Sequence, residues 1–206
     1  MKNSYQRSRD AAWEMLIRHK VRSLPIDLFS LCIKEGIALY SYKEAEAELR
    51  ALNLAERISQ TDAFTFCGVI FYDAEKPIGR QRFSIAHEIG HNILHGDRLT
   101  AYNREPSETD DPKEREANMF AARLLAPAIV LERIGVQTAA EMSALCEISA
   151  EAAKWRLKRI KELRERDEHF KSECGYSCFG LSPLERKVEK NFRKYIRAHA
   201  HKIYTI

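Results

Sequence analysis

The sequence lacks the apolar runs, repeats and biased tracts that mark membrane, fibrous or disordered proteins. No stretch of its 206 residues approaches the ~20 apolar residues of a membrane span. Lys2, Arg7 and Asp10 interrupt the first stretch, where an apolar signal core would lie. Glycine and proline are sparse, at 8 and 6 residues, which excludes collagen-like and low-complexity proteins. We therefore expect a globular, cytoplasmic protein with no membrane partner.

Cysteine is too scattered for a disulfide framework. The chain has five cysteines, an odd number, and only Cys174 and Cys178 are close together. Their three-residue gap is not a standard spacing for a zinc knuckle. The pattern is typical of reduced thiols, and it assigns no role to Cys174 and Cys178.

Charge is unevenly distributed along the chain. The formal net charge is +4, yet residues 154–206 carry 15 Lys and Arg against 7 Asp and Glu. A basic C-terminal part favours contact with nucleic acid or with an acidic protein face. A solvated helical surface explains the same residues equally well.

Hydrophobic periodicity predicts a helical chain with a small sheet. Apolar spacing predicts a first helix over residues 4–20, and Pro25 and Gly36 mark the start and end of a second. Residues 37–42 and 64–72 are rich in aromatic and β-branched residues, which is typical of strands. Residues 82–95 form a helix with histidines on one face and isoleucines on the other, a pattern that predicts central burial.

The second half of the chain is predicted to be helical. A polar loop at 97–110 precedes a helix that runs from Asp111 to before Pro127. Two short helices are expected over 138–163, with capping residues at their starts. A basic amphipathic helix follows at about 183–199.

The segment His87-Glu88-Ile-Gly-His91 carries the clearest chemistry. Residues four apart on a helix lie one above the other, so both imidazoles can reach one zinc ion. Glu88 is rotated away from the metal and can take a proton from a water beside it, as the general base of a peptidase does. The alternative is a pair of hydrogen-bonded core histidines beside a partnered glutamate.

The third zinc ligand must come from elsewhere in the chain. Leu94 and Asp97 stand where an elongated motif would place Gly and His. The helix after Asp111 offers two carboxylates, and Glu114 already has a local capping role at its start. We therefore predict that Glu116 completes the Zn²⁺ site with His87 and His91. An ion pair between Glu116 and an arginine such as Arg82 is the alternative.

Two further residues are weaker candidates. His95 continues the histidine row and can assist a substrate, but a histidine in the last helical turn is favourable through the helix dipole alone. Tyr102, in the loop that follows, is a candidate oxyanion donor by proximity only.

Two sequence blocks together resemble the ImmA/IrrE family of metallo-endopeptidases. They are Arg82-Phe-Ser-Ile-Ala-His-Glu-Ile-Gly-His91 and Glu116-Ala-Asn-Met-Phe-Ala-Ala-Arg-Leu-Leu-Ala-Pro127, and the resemblance covers roughly residues 5–165. Ala126 departs from the methionine that is common in the family, and residues 166–206 lie outside the resemblance. The resemblance implies that His87, His91 and Glu116 are the metal ligands and that Glu88 is the base. It also implies cleavage of a helix-turn-helix repressor of a mobile element or stress response.

The predicted fold class is therefore α+β. A mainly helical, zincin-like peptidase core with a small sheet would occupy 1–128, a helix-turn-helix-like region 129–165 and a basic C-terminal extension 166–206. Because the second region carries many Lys and Arg that could contact phosphates, a DNA-binding regulator with a structural or sensory metal site is the alternative function. A weaker third hypothesis is a phage or toxin-antitoxin partner that keeps only the peptidase scaffold.

Overall fold

A computed structural model describes residues 4–96, 111–177 and 179–200. Within these residues the chain is mainly helical, with one three-stranded sheet, which confirms the predicted α+β class. The helices are α1 (Ser4–Arg18), α2 (Leu28–Glu35), α3 (Glu46–Ala51), α4 (Ala55–Gln60), α5 (Ile78–His95), α6 (Pro112–Leu125), α7 (Ala128–Ile134), α8 (Ala139–Cys146), α9 (Ala150–Cys174) and α10 (Pro183–His199). The strands are β1 (Ala38–Ser41), β2 (Ala63–Phe66) and β3 (Val69–Tyr72). Among the described residues, no helix combines the length and apolar character needed to cross a bilayer.

Some sequence predictions lie outside these ranges. The expected loop at 97–110, with Tyr102, is not among the described residues, nor is Cys178. The four described cysteines are free, two of them buried (Cys32 and Cys146) and two exposed (Cys67 and Cys174).

Helix α2 begins later than the sequence predicted. Pro25 was expected in its first turn, but the Asp27 side chain accepts a hydrogen bond from the Ser30 backbone N–H at 2.9 Å, so the helix starts at Leu28. Gly36 ends the helix as predicted, at a left-handed φ of 68° that suits glycine. The capping box of Thr138 at the start of α8 is also confirmed.

The predicted strand at 64–72 is a hairpin of two strands. Cys67 and Gly68 have φ values of 49° and 78°, so the chain reverses there in a two-residue turn of the kind that joins antiparallel strands. Phe66 pairs with Val69 across this turn. The sheet order is β1-β3-β2, and β1 runs parallel to β3. Strand β2 is consequently an edge strand.

An aromatic cluster covers one region of the sheet. The Phe64 and Phe71 rings lie 5.4 Å apart between centroids, and the Tyr42 ring lies 5.8 Å from Phe64. Ala45 and Leu49 complete this cluster. Helix α5 packs against β2 and β3. Because successive strand residues point to opposite faces and Thr65 contacts Glu88 of α5, the aromatic cluster lies on the face of the sheet away from α5.

The chain forms two compact units. The first comprises Met1–Ala11 and Asp27–Ala121, and the second comprises Ala12–Ile26 and Ala122–Ile206. The sheet, α5 and most of α6 belong to the first unit, whereas α7 to α10 belong to the second. The three domains predicted from the sequence, at 1–128, 129–165 and 166–206, stay a prediction.

Candidate metal centre and active site

Helix α5 carries a row of three histidines. The His87 and His91 ring centroids lie 4.7 Å apart, and those of His91 and His95 lie 5.5 Å apart. His87 and His91 are buried, as are Ile85 and Ile89 on the opposite side. The central burial predicted for this helix is therefore confirmed.

Glu114 of α6 meets the two imidazoles. Its Oε2 lies 3.2 Å from Nε2 of His87, and its Oε1 lies 3.1 Å from Nε2 of His91. The two Nε2 atoms are themselves 3.0 Å apart. Within the described residues, these three side chains form the group that could hold a metal ion.

The spacing of these atoms fits a small divalent cation. Ligand atoms 2.0–2.1 Å from a tetrahedral zinc ion are about 3.3 Å from one another. The separations of 3.0, 3.1 and 3.2 Å are close to that value, with each oxygen of the Glu114 carboxylate lying beside a different imidazole. Two imidazoles and one carboxylate are also the ligand types that zinc accepts in sites that keep an open position.

Asn118 holds the His87 ring in an orientation suited to metal binding. Its Oδ1 lies 2.9 Å from His87 Nδ1, so with the amide oxygen as acceptor the Nδ1 atom carries the ring hydrogen. The Nε2 lone pair of His87 then faces the Glu114 carboxylate. Two electron-rich atoms at 3.2 Å repel each other unless a proton or a metal ion lies beside both. The donor set is therefore suited to a cation.

Glu116, the ligand predicted from the sequence, lies elsewhere. Its Oε2 is 3.5 Å from Arg7 Nη1 and 3.8 Å from His95 Nε2. Arg7 also donates to the Leu94 carbonyl at the end of α5. Glu116 therefore has the arginine neighbour that its alternative interpretation predicted. The partner in the structure is Arg7, not the suggested Arg82. His95 lies beside this pair, 3.4 Å from the Lys113 carbonyl oxygen.

Close packing between α5 and α6 decides which glutamate meets the histidines. A Cβ atom added at Gly90 would lie 3.1 Å from Phe120 Cδ1 and 3.2 Å from the Ala117 Cα. Glu114, Ala117 and Asn118 share one face of α6, at positions i, i+3 and i+4. That small and polar face is a sequence signal that could have pointed to Glu114 as the neighbour of His87 and His91.

Glu88 is held by a residue that the sequence analysis missed. The Thr65 hydroxyl on β2 donates to Glu88 Oε2 at 2.9 Å, and both side chains are buried. Asn92, one turn after Glu88, donates to Thr65 Oγ1 at 3.4 Å. These two hydrogen bonds orient the Glu88 carboxylate on the face of α5 next to the two imidazoles. No local sequence pattern links Thr65 to Glu88, because the contact joins an edge strand to a helix.

Tyr42 is the titratable neighbour of Glu88 with a clear pKa shift. Burial raises the pKa of Tyr42 to about 12, a hydrogen bond with Thr61 opposes that rise, and the negative charge of Glu88 adds to it. The phenol donates to the Thr61 carbonyl at 2.9 Å. Tyr42 thus stays protonated at neutral pH, with its hydroxyl held by Thr61.

Comparison with known protein families agrees with this arrangement. Residues 44–158, more than half of the chain, match the model of a peptidase family described as the IrrE N-terminal-like domain, Peptidase_M78. The chain belongs to this family. The match includes both sequence blocks that resemble ImmA/IrrE proteins, and it ends before α10. No curated protein matches the chain.

Membership of the IrrE N-terminal-like peptidase family supports metallopeptidase activity on a protein substrate. It also implies a bound metal ion, for which His87, His91 and Glu114 provide a possible site. The family resemblance stated from the two sequence blocks is therefore confirmed.

Proposed function

We propose that this protein is a zinc-dependent endopeptidase in which His87, His91 and Glu114 hold the metal and Glu88 is the general base. The observation that carries the proposal is the approach of the Glu114 carboxylate to both Nε2 atoms, at 3.1 and 3.2 Å. Glu114 replaces Glu116 in the ligand set predicted from the sequence. When bound, the zinc ion supplies Lewis-acid polarisation of the scissile carbonyl and lowers the pKa of water.

Glu88, Thr65 and Asn118 have distinct roles in the proposed reaction. Glu88 accepts the proton of the attacking water and passes it to the leaving nitrogen, which a carboxylate can do when its pKa matches these steps. Thr65 keeps that carboxylate in position through its buried hydrogen bond. Asn118 fixes the His87 ring so that Nε2 faces the site.

The substrate we infer is a helix-turn-helix transcriptional repressor of a mobile element or stress response in the cytoplasm. This part of the proposal is supported by the resemblance to ImmA/IrrE proteins and by the family match. The experiment is to incubate the zinc-loaded chain with the repressor encoded beside it and to map any cut by mass spectrometry.

Glu88→Gln is the variant that tests the chemistry. It keeps the size of the side chain but removes the base, so we expect cleavage to fall by about 100- to 10,000-fold while one zinc ion stays bound. Glu56→Gln, an exposed change on α4, is the matched control and should cleave like the wild type. A Glu88→Gln protein that cuts at the wild-type rate would show that Glu88 is not the base. A wild-type protein that binds no metal would end the proposal.

A further inference from the structure

Helix α10 presents a continuous row of basic side chains, which we call the α10 stripe. It consists of Arg186, Lys187, Lys190, Arg193, Lys194 and Arg197, all of them exposed. At 100° per residue they fall within an arc of about 120°, and at 1.5 Å per residue they extend over about 17 Å. The other exposed residues of α10 are Pro183 and Ala198. The surface of this helix is therefore almost wholly cationic.

The opposite side of α10 is already packed within the second unit. Val188 and Phe192 are fully buried, and α10 packs against α7. Asn191 donates to the Leu16 carbonyl at 3.4 Å, and Arg133 of α7 pairs with Glu189 at 2.7 Å. These contacts fix the orientation of the helix, so the stripe faces away from the core.

Within the part of the chain that the structure describes, the positive charge of the α10 stripe is not neutralised by ion pairs. Lys187, Lys190, Arg193, Lys194 and Arg197 make no ion pair with a carboxylate of the described residues. Glu189 lies outside the arc and is engaged by Arg133. Like charges this close repel one another, and an anionic partner would relieve that repulsion.

We propose that the α10 stripe binds the phosphate backbone of duplex DNA without sequence preference. DNA carries one negative charge per about 1.7 Å of its axis, a density that matches a row of closely spaced cations. A helix about 10–12 Å wide also fits the major groove of DNA, whereas the deep, narrow major groove of duplex RNA excludes it.

Other anionic partners fit the α10 stripe less well. Protein interfaces have apolar and aromatic residues at their centre and few lysines, and the stripe has no exposed aromatic residue. A helix that inserts into a membrane surface needs a free apolar face, but Val188 and Phe192 are already buried. The proposal does not depend on peptidase activity, since neither the metal ligands nor Glu88 takes part.

Fluorescence anisotropy with the full chain and two unrelated 20-base-pair duplexes tests the proposal. We expect dissociation constants in the micromolar range that are equal for both sequences. If four phosphates are contacted, affinity should fall about 100-fold between 50 and 200 mM salt. Wild-type protein that binds neither duplex, or only one of them, would overturn the proposal.

Lys190→Gln/Lys194→Gln is the variant that locates the binding surface. Both side chains are exposed, and their loss should weaken binding about 10-fold or more and reduce the salt slope by about 2. Lys34→Gln/Lys43→Gln makes the same charge change at exposed positions of the other unit and should stay within about twofold of wild type. Equal losses in the two variants would mean that net charge, not the α10 stripe, drives binding.

Competition assays separate DNA from the other anions. Unlabelled duplex DNA should displace the probe at lower phosphate concentration than duplex RNA or vesicles of anionic phospholipid. If the vesicles or the RNA compete as well as DNA, and do so through Lys190 and Lys194, the stripe is not a DNA-binding surface. Circular dichroism melting of each variant confirms that the fold is retained.

Discussion

The candidate metal centre of the first unit and helix α10 of the second treat charge in opposite ways. In the first, ionisable groups such as His87, His91 and Glu116 are buried, and each lies within a few ångströms of a specific partner. In the second, the cations of the α10 stripe lie on the surface and make no ion pair with a carboxylate of the described residues. Burial makes the energy of a charge depend on one neighbour, whereas exposure leaves it screened by water. Substitutions at the buried site of the first unit should therefore have large, local effects, and those in the α10 stripe should affect only binding.

The largest expected effect is on metal affinity. We predict that Glu114→Gln weakens zinc binding by about 1,000-fold, because one of three protein ligands is lost. Glu116→Gln should change the affinity by no more than about 10-fold, since its carboxylate lies beside Arg7 and His95. Competition with a metal chelator measures both values. The opposite ranking would restore Glu116 as the ligand.

The next effect concerns the turnover number. Thr65→Val removes the hydroxyl that donates to Glu88 but keeps the shape of the side chain. Loss of a hydrogen bond to a charged group costs about 1.5–3 kcal/mol, so kcat should fall about 10- to 100-fold with KM and zinc content unchanged. Thr65→Ser keeps the hydroxyl and should retain most of the activity. If Thr65→Ser and Thr65→Val lower kcat equally, Thr65 contributes through packing and does not orient the Glu88 carboxylate.

A smaller effect is expected where α5 and α6 touch. Alanine at Gly90 would press on Phe120 and on the Ala117 backbone, which should cost more than the gain of about 1 kcal/mol in helix propensity. We predict a net loss of about 1 kcal/mol in the free energy of unfolding, measured by urea denaturation. The loss should shrink in a Phe120→Leu background. Stabilisation by Gly90→Ala would show that the two helices can separate easily.

The smallest effect is expected in α10. Lys190→Gln/Lys194→Gln should change the free energy of unfolding by less than about 0.5 kcal/mol, because exposed side chains without partners contribute little to stability. The same urea titration measures it. A loss above about 1 kcal/mol would mean that these lysines make stabilising contacts in the folded protein. The contrast between the candidate metal centre and the α10 stripe would then not hold.

Some features of the protein follow from local sequence alone. The four-residue spacing of His87 and His91 places both rings on one face of any α-helix. Gly36 and Thr138 mark helix ends because the backbone groups there need particular conformations or side-chain partners, and the structure shows both. The aromatic run at 64–72 was recognised as β-structure, but its reversal at Cys67 and Gly68 was missed.

The tertiary structure decided which distant residues meet. Glu114 and Glu116 are two positions apart on α6, which turns them about 200° away from each other. Which of them reaches His87 and His91 depends on how α6 is rotated, and the close approach of Gly90 to Ala117 constrains that rotation. The link between Thr65 and Glu88 likewise depends on the packing of β2 against α5. Helical periodicity fixes angles within one helix, but only packing between elements fixes the angle of one helix relative to another.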